Sequence, residues 1–372
     1  MKFVIEKNAF LDVLQAAINA VPNKSTIQIL NNFALRLEGN FLEVSATDLN
    51  LGIRVKVEVQ GERDGSVVIN ARKLLDLVKS LVDPSITNVT FDVQDYLATI
   101  QWSAKGKASI SGIDASDFPP FPEVSEGESL NFAASELAFL AEKTTFACST
   151  DTIRLNLNGV YLEAKDGVIS MIATDGHRLG RASIEQEGAN LTNGAIIPKK
   201  ALQLILHMVK PDATVEVRTS ATHILFNTGS TQVISKLFEG PYPNYRAVIP
   251  QNFERTVQAN TTELLNKVHC ILPMANPRTH QIRFQMDGNN MELSATDPDV
   301  GGETREAIAV THNGEGSFSI GFDGRYFYEI LNMCKSEEVV LKMNTPIGAC
   351  IVEPVGDDMG FSFLLMPLRL AD

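Results

Sequence analysis

Three stretches of this chain are versions of one another: LEVSATDLNL (Leu42–Leu51), ISMIATDGHRL (Ile169–Leu179) and MELSATDPDV (Met291–Val300). Aligned on the shared acid, Asp48, Asp175 and Asp297 stand 127 and 122 residues apart. That spacing is the length of a small domain, and 372 residues give room for three. Such a chain solves one folding problem three times and then joins the solutions.

The flanks repeat as well. An amphipathic helix is predicted ahead of each copy, over Asn8–Val21, Ser135–Cys148 and Thr261–Leu272. Phe10, Leu14, Ala17, Ile18 and Val21 form one stripe at helical spacing, as do Leu137, Leu140 and Ala141, and Leu264, Val268 and Ile271. Ser135 and Thr261 are the expected N-caps, since a hydroxyl can accept from the free N–H groups of a first turn. A second helix follows each copy. Leu74, Leu77, Val78 and Leu81 run i, i+3, i+4, i+7, and so do Leu202, Ile205, Leu206 and Val209, and Phe327, Ile330, Leu331 and Cys334.

Each second helix gives way to alternating strands, such as NVTFDVQDYLATIQW, ATVEVRTSATHILF and EEVVLKMNT. The predicted fold class is α+β, with two helices backed by antiparallel sheets in each of three domains. Proline-rich connectors, Ala115–Val124 and Gly240–Asn252, set the expected boundaries at 1–124, 125–251 and 252–372. Neither connector is long or Gly/Ser-rich, which predicts domains packed rigidly end to end in an arc. Cys148 and Cys270 stand one repeat apart, which predicts a shared core position. With Cys334 and Cys350 they make no CxxC or zinc spacing, and all four read as buried, reduced thiols.

Charge narrows the function. The formal net charge is −13, so the molecule as a whole repels nucleic acid and anionic membranes, and any nucleic-acid contact needs a segregated basic surface. The second-helix windows Ala71–Leu81, Pro198–Lys210 and Gly324–Lys335 supply one, at +2, +3 and +1. Arg72, Lys200 and Arg325 each fall two residues before the first apolar position, in a first turn where a cation opposes the helix dipole by about 0.3–1 kcal/mol. Repeating that choice three times points to anion binding, and Lys73 and Lys199 lie alongside. With no aromatic stacking platform and no groove-reading motif, the expected ligand is duplex DNA held by its phosphates without base readout. The N-terminus MKFVIEKNAF has no secretory features and no apolar run approaches a membrane span, so a cytoplasmic location without membrane contact is expected.

ATDGHRL has the look of a catalytic loop. Yet the acid recurs in all three copies, which suits a turn residue accepting from nearby backbone N–H groups. The six histidines show no metal spacing, and there is no GxSxG elbow, phosphate loop or dinucleotide fingerprint. No enzyme, no cofactor and no metal are expected. Only the middle copy gains Gly176, His177, Arg178 and Leu179, a close-approach glycine, a donor fork and an apolar wall, which suit a peptide pocket. The tail GFSFLLMPLRLAD stays apolar almost to its end and is expected to dock beside it, Met366 giving an adaptable lining.

ATDGHRL at 173–179, SKLFEGPYPNYRAVIP at 235–250 and LLMPLRL at 364–370, together with the threefold repeat, resemble the bacterial DNA polymerase III beta subunit family of replication sliding clamps along essentially the whole chain. The resemblance implies a homodimer of three-domain chains, joined head to tail as a six-domain ring that encircles duplex DNA. It implies a noncatalytic processivity factor that takes linear peptide motifs from the replicative polymerase, the clamp loader and repair proteins. Carried over by motif, the pocket walls are Leu157, Thr174, Gly176, His177, Arg178 and Leu179, then Pro243, Tyr245, Ala247 and Val248, then Tyr326 and Ile347, and in the tail Leu364, Met366, Pro367, Leu368 and Arg369. Ala247 stands where some relatives have arginine, and Ala371 and Asp372 extend beyond the Arg-Leu end of some members. For DNA the likeness adds Lys24 and Thr150. For the dimer seam it sets Ala108 and Ile110 against Ile271 and Leu272 of the partner subunit. Two other readings are a monomeric peptide-binding adaptor and a hydrolase using the 173–179 loop.

Overall fold

A computed structural model describes residues 1–124, 127–356 and 360–370; the Ala371–Asp372 extension lies outside them. The first copy runs β1 (Lys2–Glu6), α1 (Lys7–Ala17), β2 (Asn32–Glu38), β3 (Phe41–Thr47), β4 (Leu51–Glu58), β5 (Gln60–Arg63), β6 (Gly65–Asn70), α2 (Ala71–Lys79), β7 (Asn88–Gln94), β8 (Leu97–Gln101) and β9 (Lys107–Ser111). The second runs β10 (Glu128–Ala133), α3 (Ala134–Thr145), β11 (Gly159–Lys165), β12 (Val168–Thr174), β13 (Arg178–Glu185), β14 (Ala195–Pro198), α4 (Lys199–Met208), β15 (Thr214–Thr219), β16 (His223–Asn227) and β17 (Thr231–Lys236). The third runs β18 (Arg255–Asn260), α5 (Thr261–Ile271), β19 (Gln281–Asp287), β20 (Asn290–Asp297), β21 (Gly302–Ala309), β22 (Thr311–His312), β23 (Phe318–Asp323), α6 (Gly324–Cys334), β24 (Glu338–Met343), β25 (Cys350–Pro354) and β26 (Phe361–Leu365). Setting β5 and β22 aside, every copy is a βαβββ unit used twice.

In all six units a strand runs directly into a helix, so the cap is the last strand residue. Asn70 accepts from the Lys73 N–H, Asn260 from Glu263 and Asp323 from Arg325. The caps expected at Ser135 and Thr261 therefore move back. Thr261 is the first helical residue, and its hydroxyl is buried without a hydrogen-bond partner. Ser135 is the second residue of α3, where Glu136 reaches back to the Ala133 N–H at 2.8 Å, one half of a capping box. Propensity placed the hydroxyl at the cap, but the strand's length decided it.

The chain divides into two compact units, Met1–Leu137 with Lys200–Leu237, and Ala138–Lys199 with Phe238–Asp372. The first holds the sheets β5-β1-β7-β8-β9 and β10-β15-β16-β17-β4-β3-β2-β6; the second holds β14-β11-β12-β13-β26-β25-β24-β18-β22 and β21-β20-β19-β23. Every strand pairing is antiparallel, and the two larger sheets are each assembled from halves of two different copies. β17 pairs with β4 in one, and β13 with β26 in the other. The two smaller sheets are each drawn from one copy, and they leave β9 and β21 as edges. The middle copy thus lends one half to each unit.

Apolar stripes of the helices fill the cores as their spacing predicts. In the first unit Phe3 stacks on Phe91 at 5.0 Å under Phe10, with Leu14, Leu74 and Val78 buried. In the second, Phe284, Phe322 and Phe327 cluster with Leu264, Val268 and Ile330. The shared position expected for Cys148 and Cys270 does not exist, because Cys148 is buried and Cys270 exposed. The starts of α3 and α5 lie 127 residues apart rather than 122, so Ala275, also buried, takes the place of Cys148. Burial pushes the Cys148 thiol up to about 11 and those of Cys334 and Cys350 to about 12. Titration of the native protein with a thiol reagent at pH 8 is therefore expected to consume Cys270 at once. The other three should react only after denaturation, and rapid reaction of two or more native thiols would contradict this packing.

Candidate functional site

The ATD loops close three equivalent hairpins. Asp48 Oδ1 accepts from the N–H groups of Asn50 (2.9 Å) and Leu51 (2.7 Å), and Asp175 Oδ1 from those of His177 (2.9 Å) and Arg178 (3.0 Å). Asp297 Oδ1 accepts from Asp299 at 3.1 Å. The shared acid is a turn residue in every copy. After it the chain turns left-handed, Leu49 at φ 73° in the first copy and Gly176 at φ 93° in the second. Leucine in that conformation costs about 1–2 kcal/mol, which glycine avoids.

Arg178 is the centre of the middle loop, and its side chain is only 9% exposed. Its Nε donates to Asp175 Oδ2 at 3.1 Å, one terminal nitrogen to the Phe146 carbonyl at 2.9 Å, and the other to Glu329 on α6. The guanidinium also lies 4.3 Å from the centre of the Tyr326 ring and 5.2 Å from that of Phe146. The donor fork expected to greet a peptide is instead spent inside the protein, locking the loop to α6. His177 stays exposed beside it, its ring 6.4 Å from that of Tyr326.

Leu179 follows into an apolar cluster with Ile172, Tyr245, Ile351 and Leu364, against which Tyr161, Tyr242, Ile249, Phe253 and Ala349 pack. Tyr245 arrives from the second connector, its hydroxyl donating to Glu163 at 2.6 Å while Arg246 pairs with the same carboxylate. Burial, then the Glu163 hydrogen bond, raises the Tyr245 pKa, so the phenol stays neutral and donating. The tail docks as expected. The Met366 N–H donates to the His177 carbonyl at 2.8 Å, Leu368 to Gly321 at 2.8 Å, and Gln281 Nε2 to the Arg369 carbonyl at 2.9 Å.

These contacts bring together His177, Arg178, Leu179, Tyr245, Tyr326, Leu364 and Met366. Thr174 braces the loop by donating to the Arg178 carbonyl at 2.6 Å. Around them Val248 is 52% exposed, Ile347 64% and Met366 38%. Pro243 and Ala247 are exposed, Pro367 and Leu368 half-buried and Arg369 exposed, while Leu157 is buried in the short turn Leu155–Leu157. Sequence reading missed Ile172, Ile351, Tyr161, Tyr242 and Phe253. Nothing local to Ile172 or Ile351 says that a connector from elsewhere in the chain settles on them.

The equivalent place in the first unit is closed. Gly52 sits in the register of Leu179, opposite Thr47 as Leu179 is opposite Thr174. A Cβ there would come within 2.9 Å of Phe121 and 3.0 Å of Ile234. Phe121 of the first connector, under the Arg54 guanidinium at 4.2 Å, occupies that space.

Among the cations expected to meet DNA, Lys24, Arg72 and Lys73 are exposed, and Arg72 reaches the Asn23 side chain at 3.1 Å, next to Lys24. Thr150 is exposed and Lys199 half-buried. Lys200 lies 3.5 Å from Asp48, and Arg325 makes a 2.8 Å pair with its own cap, Asp323, which raises the Arg325 pKa. At two of the three matching helix starts, then, an acid already offsets much of the cation. At the expected seam Ala108 and Ile110 are half-buried on the edge strand β9, and Leu272 is half-buried. Ile271 is fully buried within the single chain.

The three domain families described as the N-terminal, central and C-terminal domains of the DNA polymerase III beta subunit match residues 1–122, 131–244 and 246–369. The chain belongs to the DNA polymerase III beta subunit family. It is similar to the beta sliding clamps of Pseudomonas putida (30% identical) and Vibrio cholerae (28% identical), each comparison covering all of both chains. A structure of the Pseudomonas aeruginosa sliding clamp bound to griselimycin matches with a TM-score of 0.93 at 27% identity, again over 100% of both chains. The fold class of that family is the one derived from the repeat, three clamp domains each with two helices and antiparallel sheets. Among the described residues no cluster of His, Cys, Asp and Glu is placed to hold a metal, and no helix is long and apolar enough to cross a membrane.

Proposed function

We propose that the chain is a DNA sliding clamp, a processivity factor that closes with a second copy into a ring around duplex DNA and holds the replicative polymerase, the clamp loader and repair proteins by short peptides. Membership of the beta-subunit family along all three copies carries this reading.

Ring closure is supported by the pairing rule of the fold. β4 is the last strand of its half and pairs with β17; β13 pairs likewise with β26. β9 and β21 are the remaining last strands. A second copy setting its β21 beside β9 would complete a third composite sheet and cover two raw edges. Lys105 and Lys107 flank one edge, and Glu303 and Glu306 the other. Bound duplex is held by phosphate contacts from Lys24, Arg72, Lys73 and Lys199, with smaller parts for Thr150, Lys200 and Arg325. The peptide site is the cluster around Leu179, Tyr245, Leu364 and Met366, with Val248 and Ile347 at its rim, and griselimycin is expected to bind there. The chain works in the cytoplasm on the chromosome.

The hydrolase alternative lacks support, because Asp175 is engaged by backbone N–H groups and Arg178 rather than by the His177 ring. A sliding clamp loaded on nicked circular DNA should stay there at moderate salt and leave once the circle is linearised. Retention on free ends, or equal binding to circles and linear duplex, overturns the reading.

A further inference from the structure

The side chain of Glu329 projects from α6, is half-exposed, and ends on Arg178, one of the most buried cations of the molecule. The pair has no counterpart at the equivalent junction of the first and second copies. Leu51 stands in the place of Arg178, and Leu204 in that of Glu329 when Lys200 is aligned with Arg325. Two more ties join the same elements. Lys143, buried beneath the Phe361 ring, donates to the Met333 carbonyl at the end of α6, and Lys335 pairs with Glu142. Ala16 and Gln15 replace Lys143 and Glu142 in the first copy. The equivalent junction of the first and second copies has one exposed tie among the described residues, Lys200 to Asp48 at 3.5 Å. The ties made by Arg178, Lys143 and Lys335 between the second and third copies are additions to that plan, made where one wall of the peptide site comes from each.

We propose that Glu329 is a positioning residue for peptide capture: by anchoring Arg178 it fixes the His177–Leu179 wall against Tyr326 and the docked tail, and so sets pocket affinity without touching the ligand. This rests on the peptide-site reading above. Three contacts transmit the anchoring. Arg178 stacks on Tyr326, its carbonyl accepts from Thr174, and the neighbouring His177 carbonyl receives the Met366 N–H. A planar guanidinium with one acid on each side has a single orientation, and removing one acid frees it to turn.

The test measures griselimycin binding and thermal unfolding of the full-length protein. Glu329→Gln keeps the shape and removes the charge; it should weaken binding by about fivefold to thirtyfold, mainly through faster dissociation, with an unchanged Tm. Glu329→Asp should recover part of the loss. In an Arg178→Met background Glu329→Gln should have no further effect. Unchanged affinity in Glu329→Gln, a loss that persists without Arg178, or a loss matched by a fall in Tm each overturns the proposal. Met366→Glu is the control for the site itself and should abolish binding. If Met366→Glu binds normally, the peptide-site reading falls and takes this proposal with it. If only Glu329→Gln is silent, the site stands and the positioning role alone is rejected.

Discussion

Replacing Ile110 by aspartate is expected to convert a particle of about twice 40.7 kDa into one of 40.7 kDa and to abolish retention on circular DNA. Ile110 lies opposite the fully buried Ala98 on β8, on the inward face of the sheet, yet it remains half-exposed because β9 has no further neighbour. A partner strand would extend the core over it. An unpaired carboxylate there costs about 3 kcal/mol at each of the two seams of a closed ring, about ten-thousandfold in dimer dissociation when both are counted. Sedimentation at micromolar concentration measures it. A wild-type species already at monomer mass would favour the peptide-binding adaptor instead.

The second large effect concerns Arg178→Ala. Three hydrogen-bonding groups lose their donor at once: the Asp175 carboxylate, the Phe146 carbonyl and Glu329. Asp175 is mostly buried and Glu329 half-exposed, so most of the penalty falls on the former. A loss of about 3 kcal/mol in stability is expected by chemical denaturation, with pocket binding weakened but still measurable. A variant of wild-type stability would mean that the loop repacks without its cation. Arg178→Lys should be a poor substitute, since a point charge cannot serve three acceptors lying in different directions.

Much of this was legible in the sequence. The triplicated segment gave the copies, helical stripes gave the cores, and the recurrence of Asp48, Asp175 and Asp297 argued for turns, which their bonds to backbone N–H groups bear out. Two kinds of information were out of reach. One was the exchange of strands: nothing in β13 says that its partner is β26 rather than a strand of its own copy, because an inward face looks the same whoever covers the edge. The other was what a polar side chain meets. Arg178 read as a donor for a peptide and Arg325 as a cation for phosphate, yet both are already held by acids; Asp175 and Asp323 are close neighbours in sequence, while Glu329 is 151 residues away. Ile271 carried two readings, core by its own helical stripe and seam by the likeness, and within the single chain it is fully buried.

Because every large sheet is stitched from two copies, the repeat is not the unit that folds. A polypeptide cut out at residues 125–251 would carry two four-stranded half-sheets, each with the edge that normally meets β4 or β26 laid bare. Such ends recruit whatever strands are nearby, so the excised middle segment should precipitate or polymerise. Pieces meant for separate study have to be grafted across the boundaries of the repeat instead.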